Sequence, residues 1–214
     1  LPEGEQRELT QADQDAAQMV SVVLADTEEV WADLMPQQFG QAYEPATLVL
    51  FAGATRSQCG LASASTGPFY CPPERSIYLD TVFFVTISRQ LGAGGDFAAA
   101  YWVAHEVAHH VQNEMGILDQ ANRYRSSVSE VESNRVSVMI ELQAECLSGI
   151  WAREAHRRWG ILEEGDIEEA MNAAAAIGDD TLQRNAGQRV RPDSFTHGTS
   201  EQRMRWFMRG LESG

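Results

Sequence analysis

His105, Glu106 and His109 stand in the order H-E-x-x-H within Val103 to Gln112, V-A-H-E-V-A-H-H-V-Q. Positions i and i+4 of a helix share one face, so the two imidazoles can converge on a single cation. Glu106 follows His105 by about 100° of helical turn, which sets its carboxylate beside the cation, in place to accept a proton from a metal-bound water. Two imidazoles and a carboxylate so spaced are the groups that zinc-assisted amide hydrolysis needs. A buried helix with internally hydrogen-bonded histidines would carry the same letters, so the context has to separate the two readings. Gly94-Gly95-Asp96 reads as a loop ending in a helix N-cap, and Phe97 to Val111 then continues without Pro or Gly. Val103, Val107 and Val111 recur at i, i+4 and i+8 and can pack inward, with Trp102, His105 and His109 on a neighbouring stripe. That layout favours the metal.

A catalytic zinc takes three protein ligands and keeps one position for water. A continuation H-x-x-G-x-x-H would supply a third histidine, but Gln112 and Met115 occupy the Gly and His places. The alternative is a glutamate from a second helix. Ser137 to Trp151 reads S-V-M-I-E-L-Q-A-E-C-L-S-G-I-W, with Glu141 and Glu145 at i, i+4 among Val138, Ile140, Leu142, Leu147 and Ile150. Carboxylates on so apolar a helix are costly unless paired or bound to a cation; a solvent-exposed face is the ordinary fate of a glutamate. Glu141 is assigned as the third ligand and Glu145 as the acceptor that orients a histidine N–H, that of His105.

These residues resemble the bacterial neutral zinc metallopeptidase family, whose site is of the gluzincin type. The resemblance is carried by Cys59-Gly60, G-P-F-Y-C-P at Gly67 to Pro72, I-Y-L-D at Ile77 to Asp80 and G-D-F at Gly95 to Phe97. It continues through A-H-E-V-A-H-H-V-Q, E-L-Q-A-E-C and D-S-F-T-H-G-T-S-E-Q-R at Asp193 to Arg203. It departs at Glu145, where the family pattern has Asp, and at Ala108, where it has Gly. The resemblance implies a zinc peptidase fold and a zinc site, and a membrane anchor that can precede a domain of this kind.

With 214 residues the chain has the length of one well-packed domain. Its net charge of −15 argues against nucleic acid and anionic membrane surfaces as partners, since both call for a basic footprint. Of three cysteines, Cys59 and Cys71 bracket a Gly/Ser/Ala/Pro stretch. They are either a small disulfide-closed loop, which would place the protein outside a reducing cytosol, or two free thiols. Cys146, among Leu142, Leu147 and Ile150, reads as a small buried hydrophobe. The first residue is Leu1 rather than Met, so removal of an N-terminal segment is expected.

Leu1 to about Gln11 reads as a frayed start. Asp13 to Met35 reads as a helix with Met19, Val22, Val23, Val30, Trp31 and Leu34 inward, stopped by Pro36. Thr47–Phe51 and Ser76–Asp80 are strand-like. Cys59 to Thr66 reads as an extended edge, and the Cys59–Cys71 region is assigned to pairing with a substrate backbone by strand addition, with a pinned surface loop as the alternative. Asn113 to Ser129 is a polar connector, followed by a long helix from about Val131 to Trp159. A further helix starts at Gly165-Asp166, with Asp166 and Glu169 at capping-box spacing, and ends near Gly178. Gln183 to Pro192 is loop-like, with Arg184, Arg189 and Arg191 in solvent. A last helix, Thr199 to Leu211, is capped by Thr199 and Gln202. His197, on the loop before it, can donate to the oxyanion of a tetrahedral intermediate or serve local packing. The resemblance includes its H-G-T-S and favours the functional role; Tyr101 and Tyr124 are alternatives.

The sequence therefore predicts one α+β domain over residues 1–214, mostly helical, zincin-like, with a small β-sheet. One Zn2+ is held by His105, His109 and Glu141. Glu106 is the general base toward a water whose pKa the zinc lowers to about 7, and a peptide or protein is the substrate, met outside the cytoplasm. Two other functions share these features: a zinc amidase acting on cell-wall peptides, and a non-catalytic binding module stabilised by zinc. Glu106 argues against the second, because a structural site needs no general base.

Overall fold

The structure, a computed structural model, describes residues 10–63, 66–91 and 96–214. The frayed start, up to residue 9, and the Gly94-Gly95 loop with its Asp96 cap side chain lie outside the described residues. Two compact units divide the chain, Leu1–His110 and Val111–Gly214, and the boundary falls inside a continuous helix.

In the first unit, α1 (Gln11–Phe39) begins at a capping box. The Thr10 hydroxyl accepts from the Asp13 N–H, and the Asp13 carboxylate accepts from the Thr10 N–H at 2.7 Å. The helix does not stop at Pro36. It runs to Phe39 and ends on Gly40, whose N–H donates to the Pro36 carbonyl. A proline in the last turn forfeits a single donor, and too little helix follows for that loss to break it. The buried stripe is Val20, Leu24, Thr27, Val30, Trp31 and Met35, rotated from the expected one: Val22 is exposed.

Strands β1 (Thr47–Phe51) and β5 (Ser76–Asp80) lie where their β-branched and aromatic content predicts. They pair in parallel from Thr47↔Ser76 to Phe51↔Asp80. β4 (Phe69–Cys71) adds antiparallel to the other side of β5, which is buried along its whole length. β2 (Ala54–Ser57) and β3 (Gly60–Ser63) form a separate antiparallel hairpin, and Cys59 in its turn is disulfide-bonded to Cys71 at 2.08 Å. The cross-link fastens the hairpin to the end of β4, beneath which Phe51, Ala62, Cys71 and Tyr78 form a small core. Helix α2 (Thr81–Leu91) follows β5 directly, where the sequence reading assigned no element. Asp80 Oδ1 accepts from the Val82 N–H at 2.9 Å, capping its first turn. Helix α3 (Asp96–Glu114) carries the H-E-x-x-H stretch, His105 to His109, within the first unit, and its last residues belong to the second.

The second unit is helical. The polar connector proves to be partly helix: α4 (Ile117–Arg125) buries Leu118 alone among its residues, and the rest of it is polar enough to read as a connector. α5 (Glu130–Trp159) is capped by Ser129 and has the expected extent. α6 (Asp166–Ala176) starts where expected, but its cap lies one residue earlier than the expected Asp166. Gly165 is its cap, and the Asp166 carboxylate reaches back to accept from the Glu163 N–H instead of closing a capping box. α7 (Asp179–Asn185) occupies the start of the stretch read as a loop. α8 (Ser200–Ser213) has the expected Thr199/Gln202 capping box.

α5 and α8 run parallel, with Val138 beside Gly198, Glu145 beside Arg203 and Arg153 beside Glu212. Their backbones meet at two glycines. A Cβ at Gly149 would collide with the Phe207 carbonyl, and one at Gly210 with the Cys146 carbonyl. The architecture is α+β and mostly helical with a small sheet. Among the described residues no helix is long and apolar enough to cross a membrane.

Candidate metal centre

α3 is apolar nearly all round. Phe97 to Ala104, Val107, Ala108 and Val111 are buried, so the helix sits inside the protein and not on its surface. Its three polar groups of interest are therefore held by packing. His105 and Glu106 are buried at 2% and 5% exposure, and His109 is half-buried. The His105 and His109 rings stand 4.9 Å apart, nearly perpendicular, as the i, i+4 spacing requires.

His110, which the sequence reading passed over, is fully buried. Its Nε2 lies 2.6 Å from the Glu44 carbonyl oxygen and its Nδ1 2.9 Å from the Tyr70 hydroxyl. A carbonyl only accepts, so Nε2 carries the proton and Nδ1 accepts from Tyr70. His110 thus fixes the rotation of α3 about its axis through neutral partners on β4 and the loop before β1. The cue in the sequence was a second histidine set one position, about 100° of turn, away from His109.

On α5, Glu145 is fully buried and Glu141 partly so. Between them stands Arg203 of α8, with none of its side chain exposed. Its Nη2 pairs with Glu145 Oε1, and its Nη1 lies 3.4 Å from Glu141 Oε2 and donates to the His197 carbonyl at 3.3 Å. Glu145 was expected to orient His105; the ion pair with Arg203 is a partner that the sequence reading did not foresee. The sign was there in α8, where Arg203, Phe207 and Gly210 form the buried stripe. Gln112, in the last turn of α3, joins the two glutamates' helix: its Nε2 donates to the Ile140 carbonyl at 2.8 Å and to Gln143 Oε1 at 2.9 Å. Within the second unit, those bonds hold the last turn of α3 beside the residue preceding Glu141. Ligand atoms of His105, His109 and Glu141 lie within 4.8 Å of one another. Two imidazole nitrogens and a carboxylate oxygen are a donor set suited to Zn2+.

His197 sits on the loop before α8, its side chain 51% exposed. Asp179, at the start of α7, organises that loop. Its Oδ2 accepts from the N–H groups of Thr196 (2.8 Å), His197 (2.6 Å) and Gly198 (2.9 Å), and its Oδ1 lies 3.3 Å from His197 Nδ1. The hydrogen bond to Asp179 raises the His197 pKa against the opposing effect of burial, and the negative charge of Glu141 adds to the rise. Burial works to raise the Asp179 carboxyl, but the hydrogen bonds from His197 and Gly198 and the His197 charge outweigh it and hold the pKa low. Asp179 was not singled out in the sequence, because its partners lie 17 to 19 residues further along the chain.

Of the alternatives to His197, Tyr101 is fully buried with its ring 6.1 Å from His105, and Tyr124 is half exposed on α4. Cys146 is half-buried, not enclosed, and burial pushes its thiol pKa up against the opposing charge of Arg209. Arg184, Arg189 and Arg191 are exposed as expected, Arg184 in an ion pair with Asp180.

Comparison with known proteins points to the same metal. The family described as "Putative neutral zinc metallopeptidase" matches residues 3–214. An uncharacterized protein of Escherichia coli (strain K12), YpfJ, is 46% identical over 208 residues, 97% of this chain and 72% of that protein. An uncharacterized protein of Mycobacterium bovis, Mb2605, is 39% identical over 195 residues, 86% of this chain and 63% of that protein. No solved structure matches. With a match over nearly its whole length, and with the histidines and glutamate that a zinc site requires, the chain belongs to the neutral zinc metallopeptidase family.

Proposed function

We propose that the chain is a zinc-dependent peptidase that holds one Zn2+ through His105, His109 and Glu141 and uses Glu106 as general base. The observation that carries this reading is the approach of those three ligand side chains to within 4.8 Å. Bound there, Zn2+ supplies a Lewis acid toward water and the scissile carbonyl. Glu106, next to His105 on α3 and shielded from bulk solvent, takes the proton from the attacking water and returns it to the leaving amine. His197, whose pKa the hydrogen bond to Asp179 raises, donates to the oxyanion that develops on the carbonyl oxygen. Glu145 accepts from the His105 N–H and so sets the ring's orientation.

The substrate is a peptide or protein, and the β2–β3 hairpin offers its backbone an edge to pair with. The Cys59–Cys71 disulfide is compatible with a place outside the cytoplasm, and we assign the domain to that side. We read residues 1–214 as a single domain.

The test is zinc stoichiometry together with cleavage of a degenerate peptide pool, with and without chelator. One zinc per chain and cleavage that the chelator abolishes and zinc restores are expected. Glu106→Gln should keep the zinc and lower turnover by about 10²–10⁴-fold. Undiminished proteolysis by that variant would refute the general-base role, and cell-wall fragments cleaved in place of peptides would make the chain an amidase.

A further inference from the structure

Arg203 is the most deeply buried cation of the second unit, and a guanidinium is expensive to bury unless its donors are matched. Its matches are unusual in what they join. One nitrogen, Nη2, holds Glu145, while the other, Nη1, faces both Glu141 Oε2 at 3.4 Å and the His197 carbonyl at 3.3 Å. Resting on the zinc reading above, we infer that Arg203 is a positioning residue. Its planar fork fixes the Glu141 carboxylate as a metal ligand and ties the His197 loop to that ligand.

Three physical points support this. A glutamate side chain has three torsions, and a carboxylate with one oxygen turned toward a buried guanidinium is confined to a narrow part of its range. Two carboxylates and one guanidinium leave a net negative charge, which suits the approach of a divalent cation, whereas a device serving stability alone would do better neutral. Lysine, a point charge on a flexible stem, cannot address the two glutamates and the carbonyl from two nitrogens at fixed separation. The glycine contact between α5 and α8 sets how far the guanidinium must reach, since Gly149 lies one turn beyond Glu145 and Gly210 two turns beyond Arg203.

The experiment compares Arg203→Lys and Arg203→Met with the unaltered protein. Zinc affinity is read by chelator competition at a temperature where each is folded, alongside the absorption spectrum of the Co2+ form and the Tm of the metal-free form. For Arg203→Lys we expect a 10- to 100-fold loss of zinc affinity and a changed Co2+ spectrum in a protein that still folds without metal. Should Arg203→Met not fold, Arg203→Lys decides. Unchanged zinc affinity and Co2+ spectrum in folded Arg203→Lys, with metal-free and loaded Tm lowered equally, would make Arg203 a packing residue and overturn the inference. Glu141→Gln and His109→Ala, measured in parallel, separate this from failure of the zinc site itself. If they lose zinc while Arg203→Lys keeps it, only the Arg203 role falls; if they keep zinc, the ligand set falls and the Arg203 role with it.

Discussion

His110 and His197 show how differently one residue type can be used in a single chain. His110 adjoins the H-E-x-x-H motif yet serves structure: it is wholly enclosed, and both ring nitrogens are taken by neutral groups, the Glu44 carbonyl and the Tyr70 hydroxyl. His197 lies 87 residues beyond it in sequence, half in solvent, held by a carboxylate that favours its charged form. The lesson is that closeness to a motif does not assign a role; the charge of the partner does. Neutral partners hold a ring still, whereas an acidic partner keeps a proton available.

The comparison breaks if the two substitutions exchange their effects. His197→Gln should lower kcat about 10²–10³-fold, the range for losing one oxyanion donor, with zinc content and Tm little changed. Stopped assays at saturating peptide would show it, and a variant of full activity would reduce His197 to a packing residue. His110→Phe strands a buried hydroxyl and a buried carbonyl and should cost about 2–4 kcal/mol in urea denaturation. Its folded fraction should still bind zinc. A stable His110→Phe protein without activity would put His110 in the chemistry after all.

The smallest effect sharpens the contrast through pH. His197 has a raised pKa, so its contribution to stability is full below the ordinary histidine value and is lost as pH rises through the raised one. Asp179 has a lowered pKa, so its contribution is present above the ordinary aspartate value and is lost as pH falls through the lowered one. The stability gap between the unaltered protein and Asp179→Asn should therefore be widest between those two ordinary values and narrow on either side. The gap should be small, because the His197 ring is half exposed and solvent screens it. A gap that is flat with pH would mean that Asp179 acts only through the backbone N–H groups it collects.

What the sequence revealed, and what it hid, follows the range of the interactions. β1 and β5 were legible because five-residue runs of β-branched and aromatic side chains have few other uses, and α5 because its apolar residues around Glu141 and Glu145 continue without a proline. Glu141 stood out as an acid on an apolar helix. α4 was hidden because its nine residues are mostly polar and bury a single leucine, a composition shared with a connector. The α1 stripe was misjudged by a fraction of a turn, since valines lie on more than one of its faces and only the neighbours decide which is covered. Arg203 and Asp179 escaped because each is explained by groups on other elements: an arginine suggests surface, and an aspartate after a glycine suggests a turn.

The glycines at 149 and 210 bear on how the grip on the cation responds to disturbance. Where side chains separate two helices, a shove on one is absorbed by rotamers giving way. Here main chain rests on main chain, and nothing between them can yield. A push on the outer surface of α8 would travel as a rigid shift of the rod and carry the guanidinium of Arg203 with it, so events at the protein's exterior would be felt at Glu141 almost undamped.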